Sequence, residues 1–266
     1  MPEGHTIHRL ARRHKRLLGG QTVRASSPQG RFSLGAGHLD GQVLERTDAW
    51  GKHLFHHYSD GLALHVHLGL YGKFTDGDLP AAEPRGALRL RLVGDQTWLD
   101  LRGPIRCELV SRAEKADIVA GLGPDPLRPD ADPGRAVARL GRSRVALGAL
   151  LMNQEVLAGV GNVYRAEILF RHRLSPFLPG RDLDPALWRY VWDDLVTLMR
   201  AGVRAGRIVT TEREDRERPS GPARRIDAYY AYRRTGLPCR RCGTPIQQTL
   251  MVTRNLFWCP TCQPDP

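Results

Sequence analysis

Residues 239–262 read CRRCGTPIQQTLMVTRNLFWCPTC, two Cys-x-x-Cys knuckles (Cys239/Cys242 and Cys259/Cys262) with sixteen residues between them. Each knuckle presents two thiolates from one tight turn, and two knuckles complete the tetrahedral sulfur shell that structural Zn²⁺ prefers. TPIQQTL and NLFW read as the strands of a hairpin with MVTR at its tip. A closed four-sulfur shell leaves no open position, so one structural zinc ion is expected and no metal catalysis from it. The closing segment 228–266 holds five arginines and a single acid, Asp265, a net charge of +4. Cys107, the fifth cysteine, reads as a small buried hydrophobe.

The same sign of charge runs through the whole chain. Forty basic residues stand against 28 acidic ones, a net +12 in 266 residues. Only Lys15, Lys52, Lys73 and Lys115 are lysines; the other 36 basic residues are arginines. This balance favours a polyanionic partner. No apolar run approaches the roughly 20 residues of a membrane span. The opening MPEGHTIHRLARRHKR lacks the apolar core of a secretory signal. Membrane and export classes are thereby set aside, and a cytoplasmic monomer, nucleoid-associated in a bacterium, is expected.

Upstream of the ribbon, the chain divides by its periodicity. Residues 1–125 alternate like strands, as in WGKHLFHHY (50–58) and LALHVHLGLYGKF (62–74), which Ser59-Asp60-Gly61 joins as a turn. GPDPLRPDADPG (123–134) reads as a linker. Residues 135–227 form a helical domain, with helices expected over VALGALLMNQEVL, NVYRAEILFRHRL and ALWRYVWDDLVTLMRAGVRAG, followed by a polar, mobile loop, TEREDRERPSGPARR. A leading helix over 5–18 is stopped by Gly19-Gly20. Pro2 and Glu3 thus precede a helix N-terminus, where free N–H groups and the dipole favour negative charge and weaken the hold of a nearby amine on its proton. Removal of Met1 leaves Pro2 as a secondary α-amine, a group with a pKa near 7.7–8 and so partly nucleophilic at neutral pH. Attack of such an amine on a sugar carbon gives an iminium ion, an electron sink of the Schiff-base kind.

MPEG at the start, Gly51-Lys52, GVGN at 159–162 and the terminal CxxC-x16-CxxC with Arg254 together resemble the family of formamidopyrimidine-DNA glycosylase and endonuclease VIII. Leu70-Tyr71-Gly72 and RNLFWC (254–259) are closer to the endonuclease VIII branch. The resemblance implies an α+β multidomain fold: an N-terminal β-sandwich with a leading helix, a helix–two-turns–helix domain, and a zinc ribbon. It also implies a bifunctional DNA glycosylase/AP lyase that acts on oxidised bases in damaged double-stranded DNA.

Carried over residue by residue, Pro2 resembles the nucleophile that attacks C1′, and Glu3 the carboxylate that assists ring opening and proton transfer. Lys52 resembles the proton donor and phosphate contact. Arg254 resembles the arginine that clamps phosphates and aids δ-elimination. Gly161 and Asn162 match the turn whose amides would hold DNA phosphate. Leu70 and Tyr71 match the loop that fills the gap left by a flipped base. Gly69 replaces a family glutamine, and His5-Thr6 stand where relatives often carry Pro-Glu.

Two other classes are compatible with parts of the sequence. A non-catalytic nucleic-acid-binding zinc protein would explain the charge and the GVGN turn but has no use for Pro2 and Glu3. A metal-dependent nuclease would use His65 and His67, which share a strand face. No carboxylate partner stands at a matching spacing, so His53, His56, His57, His65 and His67 are read as strand residues of a half-buried or DNA-facing surface.

Overall fold

Leucines on alternate positions build the first half of the molecule. The computed structural model describes residues 2–266 and divides the chain into two compact units, Met1–Gly121 and Leu122–Pro266. Met1 and its expected removal lie outside the described residues.

The first unit runs α1 (Gly4–Leu18), β1 (Arg24–Ser26), α2 (Ser33–Leu39), β2 (Leu44–Trp50), β3 (His53–Tyr58), β4 (Ala63–His67), β5 (Lys73–Asp78), β6 (Leu88–Val93), β7 (Thr97–Arg102), β8 (Arg106–Val110) and α3 (Arg112–Ala120). Its strands form two antiparallel four-stranded sheets, ordered β1-β6-β7-β5 and β2-β3-β4-β8. One core joins them. Leu88, Leu90 and Leu92 of β6 and Leu99 and Leu101 of β7 are buried, as are Leu54 of β3 and Leu64 and Val66 of β4. Opposite faces of a strand alternate, so these positions select one face of each sheet. Ile7, Ala11 and Leu18 of α1 complete the same core, and Gly20 at φ +79° turns the chain after the helix.

Polar pairs lock the layers. On neighbouring strands Arg91 grips Asp100 through two bonds of 2.7 and 2.9 Å. Lys115 of α3 reaches Asp48 of β2 at 2.6 Å, so this lysine is a tie between helix and sheet. Cys107 is packed against the core, as expected, and burial pushes its thiol up to about 12.

The second unit continues with α4 (Pro133–Leu140), α5 (Leu147–Leu150), α6 (Asn162–Arg171), α7 (Pro185–Ala205), β9 (Gln247–Met251) and β10 (Arg254–Trp258). The Pro-rich stretch after 122 is no free linker. Residues 122–127 are buried, the Gly123 amide donates to Gln154 O, and Pro124 O accepts from Ala158 N. The expected helix over 145–157 is also cut short, to four residues. Past it, the side chains of Asn153 and Gln154 take over the hydrogen bonds a helix would need. Asn153 Oδ1 accepts from Glu155 N, while Gln154 bonds Met152 O, Val160 O and Gly159 N at 2.9–3.0 Å. Two turns therefore separate α5 from α6. In α6 every residue from Asn162 to Phe170 is buried. Its Glu167 accepts from the amides of Tyr230, Ala231 and Tyr232 at 2.7–2.9 Å, which anchors the chain just beyond the polar 211–225 segment.

Among the described residues no helix is long and apolar enough to cross a membrane.

Inside the first unit lies a histidine pair shut off from water: His14 Nδ1 of α1 and His56 Nε2 of β3, 3.0 Å apart and both 0% exposed. Burial drives both down, His56 to about 3 from an ordinary 6.5. The unfolded chain therefore binds these protons first, and stability falls as pH drops below about 6.5, by up to about 1.4 kcal/mol per pH unit per histidine until the folded values are reached. Hydrogen-exchange protection of β3 and β4 amides, followed from pH 7.5 to 5, should decline steeply. His56→Leu should flatten that decline, and an unchanged slope in the variant would contradict the assignment.

Candidate functional site

The metal site follows from the hairpin. Strands β9 and β10 pair from Gln247↔Trp258 to Met251↔Arg254 and bring the two knuckles together. The four Sγ atoms of Cys239, Cys242, Cys259 and Cys262 all lie within 4.8 Å of one another, with 3.9 Å from Cys239 to Cys262 and 3.4 Å from Cys242 to Cys259. A regular tetrahedron with Zn–S near 2.3 Å has edges of about 3.8 Å, so the sulfur cage has the size of a zinc shell. The amides of Arg241 and Cys262 point at the sulfurs of Cys239 and Cys259. Thr244 donors pull the Cys242 thiol down to about 6, toward the thiolate that binds metal.

The hairpin tip is tighter than the sequence suggested. Val252 and Thr253 alone form it, at φ +51° and +58°, the two-residue turn in which both positions are left-handed. Arg254 is the first residue of β10, opposite Met251, and pairs with no carboxylate among the described residues.

That hairpin is tied to the start of α6. Asn162 is 5% exposed; its Nδ2 donates to Asn255 O at 2.9 Å, and its Oδ1 accepts from the Arg165 guanidinium. Arg165, 0% exposed, also reaches the carbonyls of Gly148, Met251 and Asn255 at 3.3–3.5 Å. Gly161 is the N-cap of α6, in extended backbone and with no side-chain cap hydrogen bond. Nothing in the sequence singled out Arg165. Among 36 arginines its burial is visible only in the folded chain.

In the first unit, Pro2 is half-buried and Glu3 is the N-cap of α1, its side chain entirely buried. The carbonyl of Glu3 accepts from Thr6 N at 2.9 Å. His5, where relatives often have proline, is buried, and its ring is lowered to about 4 by that burial. Helix α1 packs on β2 and β3. These strands meet at a two-residue turn, Gly51-Lys52, between the paired Trp50 and His53. Gly51 has φ +56°, which glycine adopts without strain. Lys52 therefore sits on a hairpin tip between two strands, where the sequence reading ran a single strand through 50–58.

After β4, the loop 69–72 is shaped by two glycines. Gly69 has φ +66°, and a Cβ there would stand 2.5 Å from Ile105; one on Gly72 would stand 2.2 Å from Leu68 O. Both glycines are required sterically, so the loss of the family glutamine at 69 has a local cause. Between them Leu70 and Tyr71 project outward, 40% and 87% exposed.

The histidines do have a carboxylate partner, contrary to the sequence reading. Glu108 of β8 lies directly opposite His65 of β4, and its Oε1 accepts from His65 Nδ1 at 2.9 Å. His53 and His65 are joined at 2.8 Å, while His67 Nδ1 accepts from Gly69 N at 3.1 Å. These nitrogens are engaged with one another. Among the described residues the four cysteines are the only cluster suited to a metal ion.

The formamidopyrimidine-DNA glycosylase N-terminal domain matches residues 1–107, the H2TH domain of the same enzymes residues 122–214, and the zinc finger found in FPG and IleRS residues 236–264. The chain is 54% identical over 270 residues to endonuclease 8 1 of Mycobacterium tuberculosis, covering 99% of the chain and 100% of that protein. With formamidopyrimidine-DNA glycosylase of Thermus thermophilus it shares 32% identity, covering 99% of the chain and 98% of the relative. The crystal structure of MutM (Fpg) from Thermus thermophilus superposes with a TM-score of 0.80 at 30% identity, over 100% of both chains. Lactococcus lactis Fpg in complex with abasic-site DNA shares the fold at a TM-score of 0.82 and 21% identity, over 99% and 100% of the chains. The fold and the sulfur cage are those of a zinc-ribbon, H2TH-containing repair-enzyme class. The chain belongs to the formamidopyrimidine-DNA glycosylase and endonuclease VIII family, and its zinc ion is structural.

Because binding energy at such a shell is folding energy, chelation of zinc should release protection of the β9 and β10 amides and leave the first-unit sheets protected. Hydrogen exchange before and after chelator treatment measures this; full protection of the hairpin without metal would rule out a structural role for the ion.

Proposed function

We propose that this protein is a bifunctional DNA glycosylase/AP lyase of base excision repair, a cytoplasmic monomer that excises oxidised bases from double-stranded DNA. The observation that carries the proposal is Pro2-Glu3 at the start of α1, with Glu3 wholly buried, in a chain whose full-length relatives are named for endonuclease 8 and formamidopyrimidine-DNA glycosylase.

With Met1 removed, the Pro2 nitrogen attacks C1′ of the damaged nucleotide. The bond from C1′ to the base breaks, the base leaves with a proton, and the sugar ring opens to an iminium ion. Glu3 assists by moving the protons at the ring oxygen and the departing base. The iminium acidifies the C2′ hydrogens; loss of one expels the 3′ phosphate, and a second elimination expels the 5′ phosphate. Hydrolysis of the iminium frees Pro2. Lys52 holds phosphate and donates a proton, which suits a compact ammonium with adjustable affinity for its proton better than a guanidinium. Arg254, which has no carboxylate partner among the described residues, binds the flanking phosphates and aids the second elimination. The amides of Gly161 and Asn162 hold a further phosphate at the α6 N-terminus, and Leu70 and Tyr71 fill the space of the extruded nucleotide. Two exposed apolar side chains on a sterically fixed loop are suited to that task.

Borohydride should trap a covalent complex with abasic DNA, and peptide mapping should find the adduct on Pro2; an adduct on a lysine would sink the nucleophile assignment. The two halves of the chemistry should also separate. An abasic site already offers its aldehyde, so Glu3→Gln should lose excision of an oxidised base by ~10²-fold or more yet retain measurable cleavage at a preformed abasic site. Equal losses on both substrates would remove Glu3 from the excision step.

A further inference from the structure

Arg240 and Arg241 are the two residues between the metal-binding thiols Cys239 and Cys242. A ligand knuckle wraps its backbone around the ion, so these two side chains have a fixed root only while the sulfur shell is closed. Both reach the polar stretch 212–227, which the sequence presented as a mobile loop.

Arg240 spreads its fork over three carbonyls. Its Nε donates to Tyr229 O at 3.2 Å, Nη1 to Asp215 O at 3.3 Å and Nη2 to Ile226 O at 2.8 Å. The same Nη2 stands 3.3 Å from Asp227 Oδ1, and the two side chains are 6% and 0% exposed. Asp215 and Ile226 lie toward opposite ends of the stretch, so one guanidinium spans it. Asp227 carries the clasp inward: its Oδ1 also accepts from Glu217 N at 3.1 Å, and its carbonyl accepts from Thr211 Oγ1 at 2.6 Å. Arg241 backs this arrangement. Its guanidinium lies 5.0 Å from the ring centre of Tyr230 and 5.4 Å from that of Phe170, and its Nε is 3.7 Å from Asp215 Oδ2. Tyr230 Oη donates to that same carboxylate oxygen at 2.6 Å.

A second anchor takes no part in the knuckle. Glu167 of α6 holds the amides of Tyr230, Ala231 and Tyr232 and the hydroxyl of Thr210. The helical domain therefore fixes the chain just outside both ends of the stretch, and the zinc knuckle fixes what lies between.

We propose that Arg240 couples the zinc shell to the order of residues 212–227. With the knuckle closed on its ion, the guanidinium clasps the stretch in one conformation; loss of the ion releases it, while Glu167 keeps its ends in place. The device makes the order of a surface outside the ribbon depend on metal supply. It stands on the structural ion alone and needs none of the chemistry proposed above.

Hydrogen exchange on the full chain reads both anchors at once. The amides of Glu217, Asp227 and Ala228 report the clasp, and those of Tyr230, Ala231 and Tyr232 report Glu167. Chelation of zinc should speed exchange in the first set about tenfold or more, the weight of hydrogen bonds to a charged group, and leave the second set protected. Arg240→Ala, checked to retain its zinc and the protection of β9 and β10, should open the first set to the same extent, and chelation should then add nothing. Arg240→Lys keeps the charge without the fork; it should retain the ion and exchange at a rate between the two. Wild-type protection of the first set in either zinc-loaded variant, or in the unsubstituted protein after chelation, overturns the clasp. A further loss on chelating Arg240→Ala also overturns it, since the ion would then act on the stretch by another route. Opening of both sets together on chelation overturns it as well, because the region would then unfold as one body.

Discussion

The second unit depends on a guanidinium in its interior. Arg165 bonds carbonyls from α5 and from both strands of the zinc hairpin, and it holds Asn162 at the start of α6. A buried guanidinium relies on such acceptors, and leaving one of its buried donors without a partner costs about 1–3 kcal/mol, more for a charged group. This constraint links elements some 90 residues apart: the hairpin that carries Arg254 and the turn that offers the α6 amides are joined through the same side chains. The zinc shell works toward the same end. It gives the short 236–264 segment, with few apolar side chains, a fixed shape.

The first unit is organised around a hairpin tip. Its β2–β3 turn must be short for Trp50 to pair with His53, and glycine at 51 makes the turn possible, which delivers Lys52 to the end of the sheet. The next connection, after β4, is equally constrained by Gly69 and Gly72.

The same histidines show how burial changes meaning. In the sequence the five between positions 53 and 67 read as strand residues of a half-buried or DNA-facing surface, with metal ligation by His65 and His67 the lesser alternative. In the sheet, nitrogens of His53, His65 and His67 are hydrogen-bonded within the row, to Glu108 and to a loop amide. His56 is turned to the other side, against His14 of α1. Strand alternation separated the set into two groups with different surroundings.

What the sequence determined by itself was whatever local rules carry: the Cys-x-x-Cys knuckles and their ion, the leading helix with Pro2-Glu3 ahead of it, the hairpin strands on either side of Ser59-Asp60-Gly61, and α6 and α7. Each rests on spacing, capping or alternation within a few residues. Tertiary structure alone decided the rest. It buried the Pro-rich stretch beyond 122 against the segment after α5, where Gly123 N bonds Gln154 O and Pro124 O accepts from Ala158 N. It placed Lys52 in a turn, and it chose Glu108, 43 residues away in the chain, as the partner of His65. Register between distant strands and the burial of one arginine among many depend on contacts that the two partners make only when the whole unit is folded, and so leave no mark in the sequence near either of them.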